Sequence, residues 1–507
     1  MDTLQLIAGG FFDSFTLLNL LLMALGVLIG IVFGAIPGMT TNMALILFLP
    51  MTYGLGMLPS MLFLLGIYCG GTYGGSITAI LIGTPGTNVA VATMFDGYPL
   101  AQKGAPGKAL HIALFASTIG GLISAVLLLF VAPVVAEYIL KFGPPEYFAL
   151  AVLGLSIIAG VSGKSLLRGL IAGCFGMLLA CVGIDAGSSV TRFAFKNVYL
   201  MSGLNVMPVM MAMFAIPNIF SKILTRQYEK KFEYSAEVAK SDRLTKEEKK
   251  RCVPVIAKST AIGAVIGAVP AAGAAIASMI SYNEAKRTSK NGNKFGTGEL
   301  EGIAAPEAAN NAVTGTSFIP LFTLGIPGSA VASILVGAFT MNGLQVGPTL
   351  FRNQSELMYG IMVGLIFCNI IMWVEGTYLQ KVFAKIAKVP QPVLVTALTL
   401  FCVAGCYAVS NQMFNVYLMM GMGVFFYITT KLNFPLASMI LGFILGSLAE
   451  TNLKNSLVMS EGSWSIFFTR PIVLVILIIT VAVTVLTVKP KKADKNVPPL
   501  VDEDDEE

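Results

Sequence analysis

Gly30-Ile31-Val32-Phe33-Gly34-Ala35-Ile36-Pro37 in the first half of the chain and Gly263-Ala264-Val265-Ile266-Gly267-Ala268-Val269-Pro270 in the second are two copies of one pattern. Each is an apolar run with glycines four apart that ends at a proline. The small residues extend outward, since Gly26, Gly30, Gly34 and Gly38 align with Ser259, Gly263, Gly267 and Ala271. At that spacing they fall on one helix face and let a neighbouring backbone approach closely. Proline then removes a backbone donor, so the helix must stop or kink there.

A second pair follows in the same order. Gly83-Thr84-Pro85-Gly86-Thr87 corresponds to Gly325-Ile326-Pro327-Gly328-Ser329, and Asp96-Gly97 corresponds loosely to Asn342-Gly343. These breaks lie in very apolar surroundings. Residues 14–95, 312–350 and 391–430 contain no Asp, Glu, Lys or Arg. The whole chain is 55% hydrophobic and 12% charged, with mean hydropathy +0.79, against about a quarter charged residues in soluble domains. A soluble fold is excluded, and an all-α polytopic membrane protein embedded in a lipid bilayer is expected.

A span needs roughly 20 apolar residues. Candidate segments are 17–36, 44–67, 110–132, 149–161, 169–184, 204–224, 259–281, 317–339, 357–379, 392–407, 416–430, 435–449 and 471–488. About a dozen membrane segments are therefore expected, some broken or re-entrant. The pattern divides the chain into a first membrane repeat (1–220), a basic cytoplasmic loop (221–258), a second membrane repeat (259–488) and a charged cytoplasmic tail (489–507). Basic residues crowd the loop and follow the last segment, which places both on the cytoplasmic side. No basic residue precedes Lys103, so the first apolar stretch reads as a retained helix rather than a secretory signal. The repeats are expected to be inverted, because only the second copy of the glycine pattern follows basic residues. Basic clusters flank 259–281 on both sides, so that segment is either one crossing or a hairpin returning to its starting face.

Several engines are excluded. Gly163-Lys164-Ser165 ends like a phosphate loop, but Ile158 stands where its first glycine is required. No GxSxG, HExxH or CxxC pattern occurs, and the single His111 cannot build a metal cluster with scattered cysteines. An enzyme is not expected, nor is a cofactor. The basic loop is interleaved with acidic residues, so no nucleic-acid partner is expected.

Duplicated halves with broken segments at matching positions point to a secondary transporter whose site lies between the halves. A Pro-Gly break inside the bilayer frees backbone N–H groups, which hold an anion without a basic side chain. The candidate substrate-binding residues are Gly38, Thr40, Asn42, Thr84, Pro85, Gly86, Thr87, Asn88, Asn310, Asn311, Pro327, Gly328 and Ser329. Freed carbonyls and nearby oxygens at Thr41, Gly83, Glu307 and Gly325 are candidates for a coupling cation, sodium or proton. Glu307 reads equally well as a cap on the next helix. A channel-like or scaffolding membrane subunit that does not pump is the alternative, since it needs the same hydropathy.

Tyr73-Gly74-Gly75-Ser76, Gly83-Thr84-Pro85-Gly86-Thr87, Asp96-Gly97-Tyr98-Pro99-Leu100-Ala101, Ala305-Pro306-Glu307-Ala308-Ala309-Asn310-Asn311-Ala312 and Leu324-Gly325-Ile326-Pro327-Gly328-Ser329 resemble the large permease subunit of tripartite tricarboxylate transporters. The resemblance covers nearly the full chain; Gly83 stands where the family often has Asn. It implies a multi-pass protein of the bacterial inner membrane with two partners, a small four-helix membrane subunit and a periplasmic solute-binding protein. It further implies cation-driven uptake of a carboxylate such as citrate, with elevator-type movement by analogy.

Overall fold

The computed structural model describes residues 3–36, 39–83, 85–139, 142–156, 165–185, 190–225, 244–269, 273–386, 391–408 and 411–488. Pro37, Gly38, Thr84, Pro270, Ala271, most of the central loop and the acidic tail lie outside them. The helices are α1 (Thr3–Ser14), α2 (Leu17–Gly34), α3 (Thr41–Phe48), α4 (Met57–Ile82), α5 (Val91–Gln102), α6 (Pro106–Ile139), α7 (Pro144–Ser156), α8 (Leu166–Ala180), α9 (Val198–Met201) and α10 (Val206–Thr225). After the central loop come α11 (Lys246–Ala268), α12 (Ala274–Thr288), α13 (Leu300–Thr316), α14 (Phe318–Leu324), α15 (Ala330–Met341), α16 (Pro348–Asn353), α17 (Ser355–Ile386), α18 (Gln391–Ala408), α19 (Met413–Lys431), α20 (Leu436–Met459), α21 (Ile466–Thr469) and α22 (Pro471–Val488). A two-stranded antiparallel hairpin, β1 (Gly183–Ile184) with β2 (Thr191–Arg192), follows α8.

Six of the described helices are long and apolar enough to cross a membrane, and five shorter apolar helices accompany them. The molecule is a multi-pass helical membrane protein. Three expected segments differ from simple spans. Residues 44–67 divide into α3 and α4, because the chain turns at Gly54 (φ 90°) and Gly56 (φ 80°), conformations that side chains resist. Residues 317–339 break at Gly325. Residues 259–281 reverse direction.

That reversal is fixed by charge pairing. Lys258 on α11 hydrogen-bonds both Glu284 and Thr288 on α12, whereas a straight helix would separate residues 258 and 284 by about 39 Å. The segment is a helical hairpin, and the single-crossing alternative fails. Arg287 and Lys258 hold the half-buried Glu284 carboxyl down at about 2.

The glycine stripes work as close-packing faces. A Cβ on Gly26, Gly30 or Gly34 would lie 2.2, 2.3 or 2.6 Å from the carbonyls of Phe63, Ile67 and Gly71 on α4. In return, Gly66, Gly70 and Gly74 of α4 meet the carbonyls of Met23, Val27 and Ile31. The order of these contacts makes α2 and α4 parallel. Gly263 and Gly267 of α11 pack likewise on Ala309 and Val313 of α13, again in parallel. Such approach replaces side-chain burial with backbone dispersion and Cα–H···O contacts.

Most of these elements share one large core. A separate apolar cluster joins Ala149 and Leu150 of α7 with Leu441 and Leu445 of α20, Phe467 of α21, and Val473 and Ile476 of α22; Ile326 from the second break reaches into it.

Candidate substrate site at two broken helices

Helix α4 stops at Gly83 in the left-handed conformation (φ 66°, ψ 20°). The chain then folds back: the Gly86 N–H donates to the Gly75 carbonyl at 3.2 Å. A Cβ on Gly86 would lie 2.0 Å from the Gly34 carbonyl, so the end of α2, the middle of α4 and the first break meet here. Thr87 lies against Gly75, is 8% exposed, and its hydroxyl has no hydrogen-bond partner among the described residues. Pro85 is partly buried, while Asn88 is exposed and opens the short turn into α5.

The second break repeats this geometry. Helix α14 stops at Gly325, also left-handed (φ 72°, ψ 13°). Pro327 and Gly328 are buried, and a Cβ on Gly328 would lie 2.7 Å from the Ser317 carbonyl. Ser317 precedes Gly328 by eleven residues, as Gly75 precedes Gly86 (328 − 317 and 86 − 75). Ser329 caps α15 by accepting from the Ala332 N–H at 3.1 Å.

Thr40 does the same for α3, accepting from Met43 N–H at 3.2 Å. Thr41 is buried against Gly71 of α4, and Asn42 is half-buried beside it in the chain. The hydroxyls of Thr40 and Ser329 thus hold helix starts in this conformation, leaving backbone N–H groups of those first turns as anion donors.

Helices α4 and α13–α14 run antiparallel and join the two breaks. Ser76 of α4 donates to Glu307 of α13, while Tyr68, two turns earlier, packs edge-on against Phe318, the first residue of α14, at 5.8 Å. The eight residues from Tyr68 to Ser76 span about 12 Å along α4. Between these points α13 presents Asn310 and Asn311, both fully buried. Asn311 donates to the Glu307 carbonyl at 3.0 Å and to Asn310, and its own amide oxygen has no partner. An unpaired buried acceptor is costly. Of the sequence-predicted residues, this polar seam holds Asn310, Asn311 and Glu307.

Glu307 is not a helix cap. It lies inside α13 with no exposed surface and accepts from Ser76, Thr93 of α5, Ser117 of α6 (2.8 Å) and Asn310 (3.5 Å). The cap is Glu299, which accepts from the Leu300 N–H at 3.1 Å. Of the other positions considered for a cation, Thr41 packs on Gly71, and Gly83 and Gly325 terminate α4 and α14. No cluster of three His, Cys, Asp or Glu side chains occurs among the described residues, so a cation here would be held by hydroxyl, carbonyl and single carboxylate oxygens.

Sequence reasoning missed Tyr68, Thr93, Ser117 and Ser317 as members of this seam. It also left Asp96 without a role. Asp96 is fully buried and accepts from the N–H groups of Gly296 (2.9 Å), Gly298 (2.8 Å) and Glu299 (2.8 Å) and from the Tyr282 hydroxyl (3.0 Å). It clamps the start of α13 to α5.

The chain is 34% identical over 504 residues to a 52.8 kDa protein of Agrobacterium vitis named for the TAR-I ttuC' 3' region, covering 99% of this chain and all of that one. It is 35% identical over 242 residues, 48% of this chain, to the whole of a second Agrobacterium vitis protein, named for the TAR-II ttuC' 3' region. No solved structure matches. Residues 20–441 match the tripartite tricarboxylate transporter TctA family, and the chain belongs to that family.

Proposed function

We propose that the chain is the permease of a secondary active transporter that imports a carboxylate, a tricarboxylate such as citrate or a related organic acid. Uptake is driven by a cation gradient, sodium or proton, across the bacterial inner membrane. The substrate arrives from a periplasmic solute-binding protein, and a small four-helix membrane subunit completes the assembly.

The observation that carries this is the pair of equivalent breaks. Each begins at a left-handed glycine, folds onto the residue eleven positions before the glycine of its Pro-Gly, and follows one of two antiparallel helical segments. Equivalent segments running in opposite directions are what an inverted repeat produces, with the ligand site between them. The parallel pairs α2/α4 and α11/α13 extend the equivalence. The substrate's negative charge meets backbone N–H groups, the Thr87 hydroxyl and the remaining Asn310 amide hydrogen rather than arginine or lysine.

Sidedness supports the inversion. The basic start of α11 meets the start of α6 through Lys108 and Glu248 at 2.9 Å, and Lys103 donates to the Thr297 carbonyl. These form a cytoplasmic face under the positive-inside tendency. The separate α7/α20/α22 cluster suits a scaffold against which the unit carrying both breaks moves, in elevator fashion.

Citrate uptake into vesicles carrying all three components tests the assignment. Asn311→Ala and Gly328→Val are expected to lose uptake while remaining in the membrane; normal uptake by both moves the site elsewhere. Accumulation against a gradient that collapses when the sodium or proton gradient is removed separates a pump from a channel-like or scaffolding subunit.

A further inference from the structure

We infer that Glu307 is the proton-binding group of this protein, and that its proton is the coupling cation of the transport reaction proposed above. The inference rests on that reading and assigns its coupling step.

Glu307 is fully buried, seven residues into α13, and every partner of its carboxylate is neutral: Ser76 and Thr93 on Oε1, Ser117 on Oε2 and the Asn310 amide on Oε1. A buried carboxylate without a cationic partner either holds a cation or takes a proton. The titratable side chains on the packed elements lie elsewhere. They are Tyr68, Cys69 and Tyr73 on α4, Asp96 and Tyr98 on α5, Lys108, His111, Glu137 and Tyr138 on α6, Lys246, Glu247, Glu248, Lys249, Lys250, Arg251, Cys252 and Lys258 on α11, Tyr282, Glu284, Lys286 and Arg287 on α12, and Glu301 on α13 itself. Among the described residues, the hydrogen-bond partners of the Glu307 carboxylate are Ser76, Thr93, Ser117 and Asn310. Asp96, two residues past the helix turn that carries Thr93, is itself spent on the N–H groups before α13.

The spacing selects a proton over a metal ion. A hard metal ion stands between its oxygens at about 2.3–2.6 Å from each, whereas the three hydroxyls here contact the carboxylate oxygens directly at hydrogen-bond length. Proton uptake needs no rearrangement of that size. Oε1 already accepts two hydroxyls, so the new O–H bond forms on Oε2. Ser117 Oγ then changes from donor to acceptor, and its hydrogen turns to the carbonyl one helical turn back on α6. The link to substrate is positional. Thr93 lies in the first turn of α5, directly after the first break, and Asn310 belongs to the seam that joins the two breaks.

Infrared difference spectra between high and low pH, recorded on the reconstituted protein, test the protonation without any substrate. Wild type is expected to show a carboxylic-acid C=O band that grows as pH falls and is unmoved by sodium. The band is lost in Glu307→Gln, retained in Glu375→Gln, where Glu375 is the half-buried carboxylate of α17, and shifted in Ser117→Ala. A band that survives in Glu307→Gln overturns the inference, as does one that sodium abolishes at constant pH. With the partner proteins present, Glu307→Gln is expected to exchange citrate across the membrane but to lose at least tenfold of the accumulation driven by an imposed pH gradient. Equal accumulation by Glu307→Gln and wild type overturns the coupling role. A wild-type assembly that accumulates no citrate under any gradient overturns the permease reading instead, and the spectra still decide Glu307.

Discussion

Gly86 rests on Gly75 with its amide 3.2 Å from the Gly75 carbonyl, closing the first break against the helix it has just left. On the other side of the seam Gly328 packs closely on Ser317, where a Cβ would lie 2.7 Å from the Ser317 carbonyl. A reversal this tight needs a left-handed residue to stop the helix, a proline that removes a donor, and a glycine to pass the backbone. That requirement explains why Gly83-Thr84-Pro85-Gly86 and Gly325-Ile326-Pro327-Gly328 have their glycines where they do.

Gly86→Ala is therefore expected to abolish transport. Its Cβ would meet the Gly34 carbonyl, backbone that cannot rotate away, and overpacking of this kind costs about 1–3 kcal/mol. Gly421→Ala on α19, where nothing lies within 4 Å, is the neutral control. Thermal stability in detergent and vesicle uptake read both.

The α11–α12 hairpin brings Lys258 to Glu284. In a chain cleared of native cysteines, Lys258→Cys with Glu284→Cys is expected to join through a short bifunctional reagent, which a straight crossing of about 39 Å forbids. Asn291→Cys is expected to label from the cytoplasmic side; labelling only from outside contradicts the hairpin.

Asp96→Ala leaves three backbone N–H groups and the Tyr282 hydroxyl without their acceptor. The expected cost is about 2–5 kcal/mol, from the desolvation of unpaired buried donors. Asp96→Asn keeps the oxygen that serves the three N–H groups and is expected to cost about half as much. Equal melting temperatures for the two variants contradict the clamp.

Arg470→Met removes the partner of Glu146, a carboxylate 4% exposed that Arg470 meets at 3.0 Å from both oxygens. The Arg470 side chain is 37% exposed. Screening therefore brings the cost to about 1–3 kcal/mol, below that of a fully buried pair. Adding Glu146→Gln is expected to restore most of the loss, as measured by thermal unfolding.

The membrane class, the glycine stripes and both breaks were legible because they depend on local chemistry: hydropathy, glycine spacing and proline. Gly54 and Gly56 were passed over because an apolar run of span length concealed a turn. Glu307 stayed open between a cap and a cation ligand because its partners Ser76, Thr93 and Ser117 come from three other helices, more than 180 residues away in sequence. Hydroxyl side chains in apolar helices ordinarily bond their own backbone, so nothing local marked these three. Asp96 was unreadable for the same reason, since its acceptor role depends on the turn at Gly296 and Gly298.

Substrate protection tests the central claim most directly. With Thr87→Cys and Ser329→Cys introduced separately into the cysteine-cleared assembly, citrate is expected to slow maleimide labelling at both positions, because one ligand lies between the two breaks. Protection at neither position, or at only one, contradicts a site shared by the two halves.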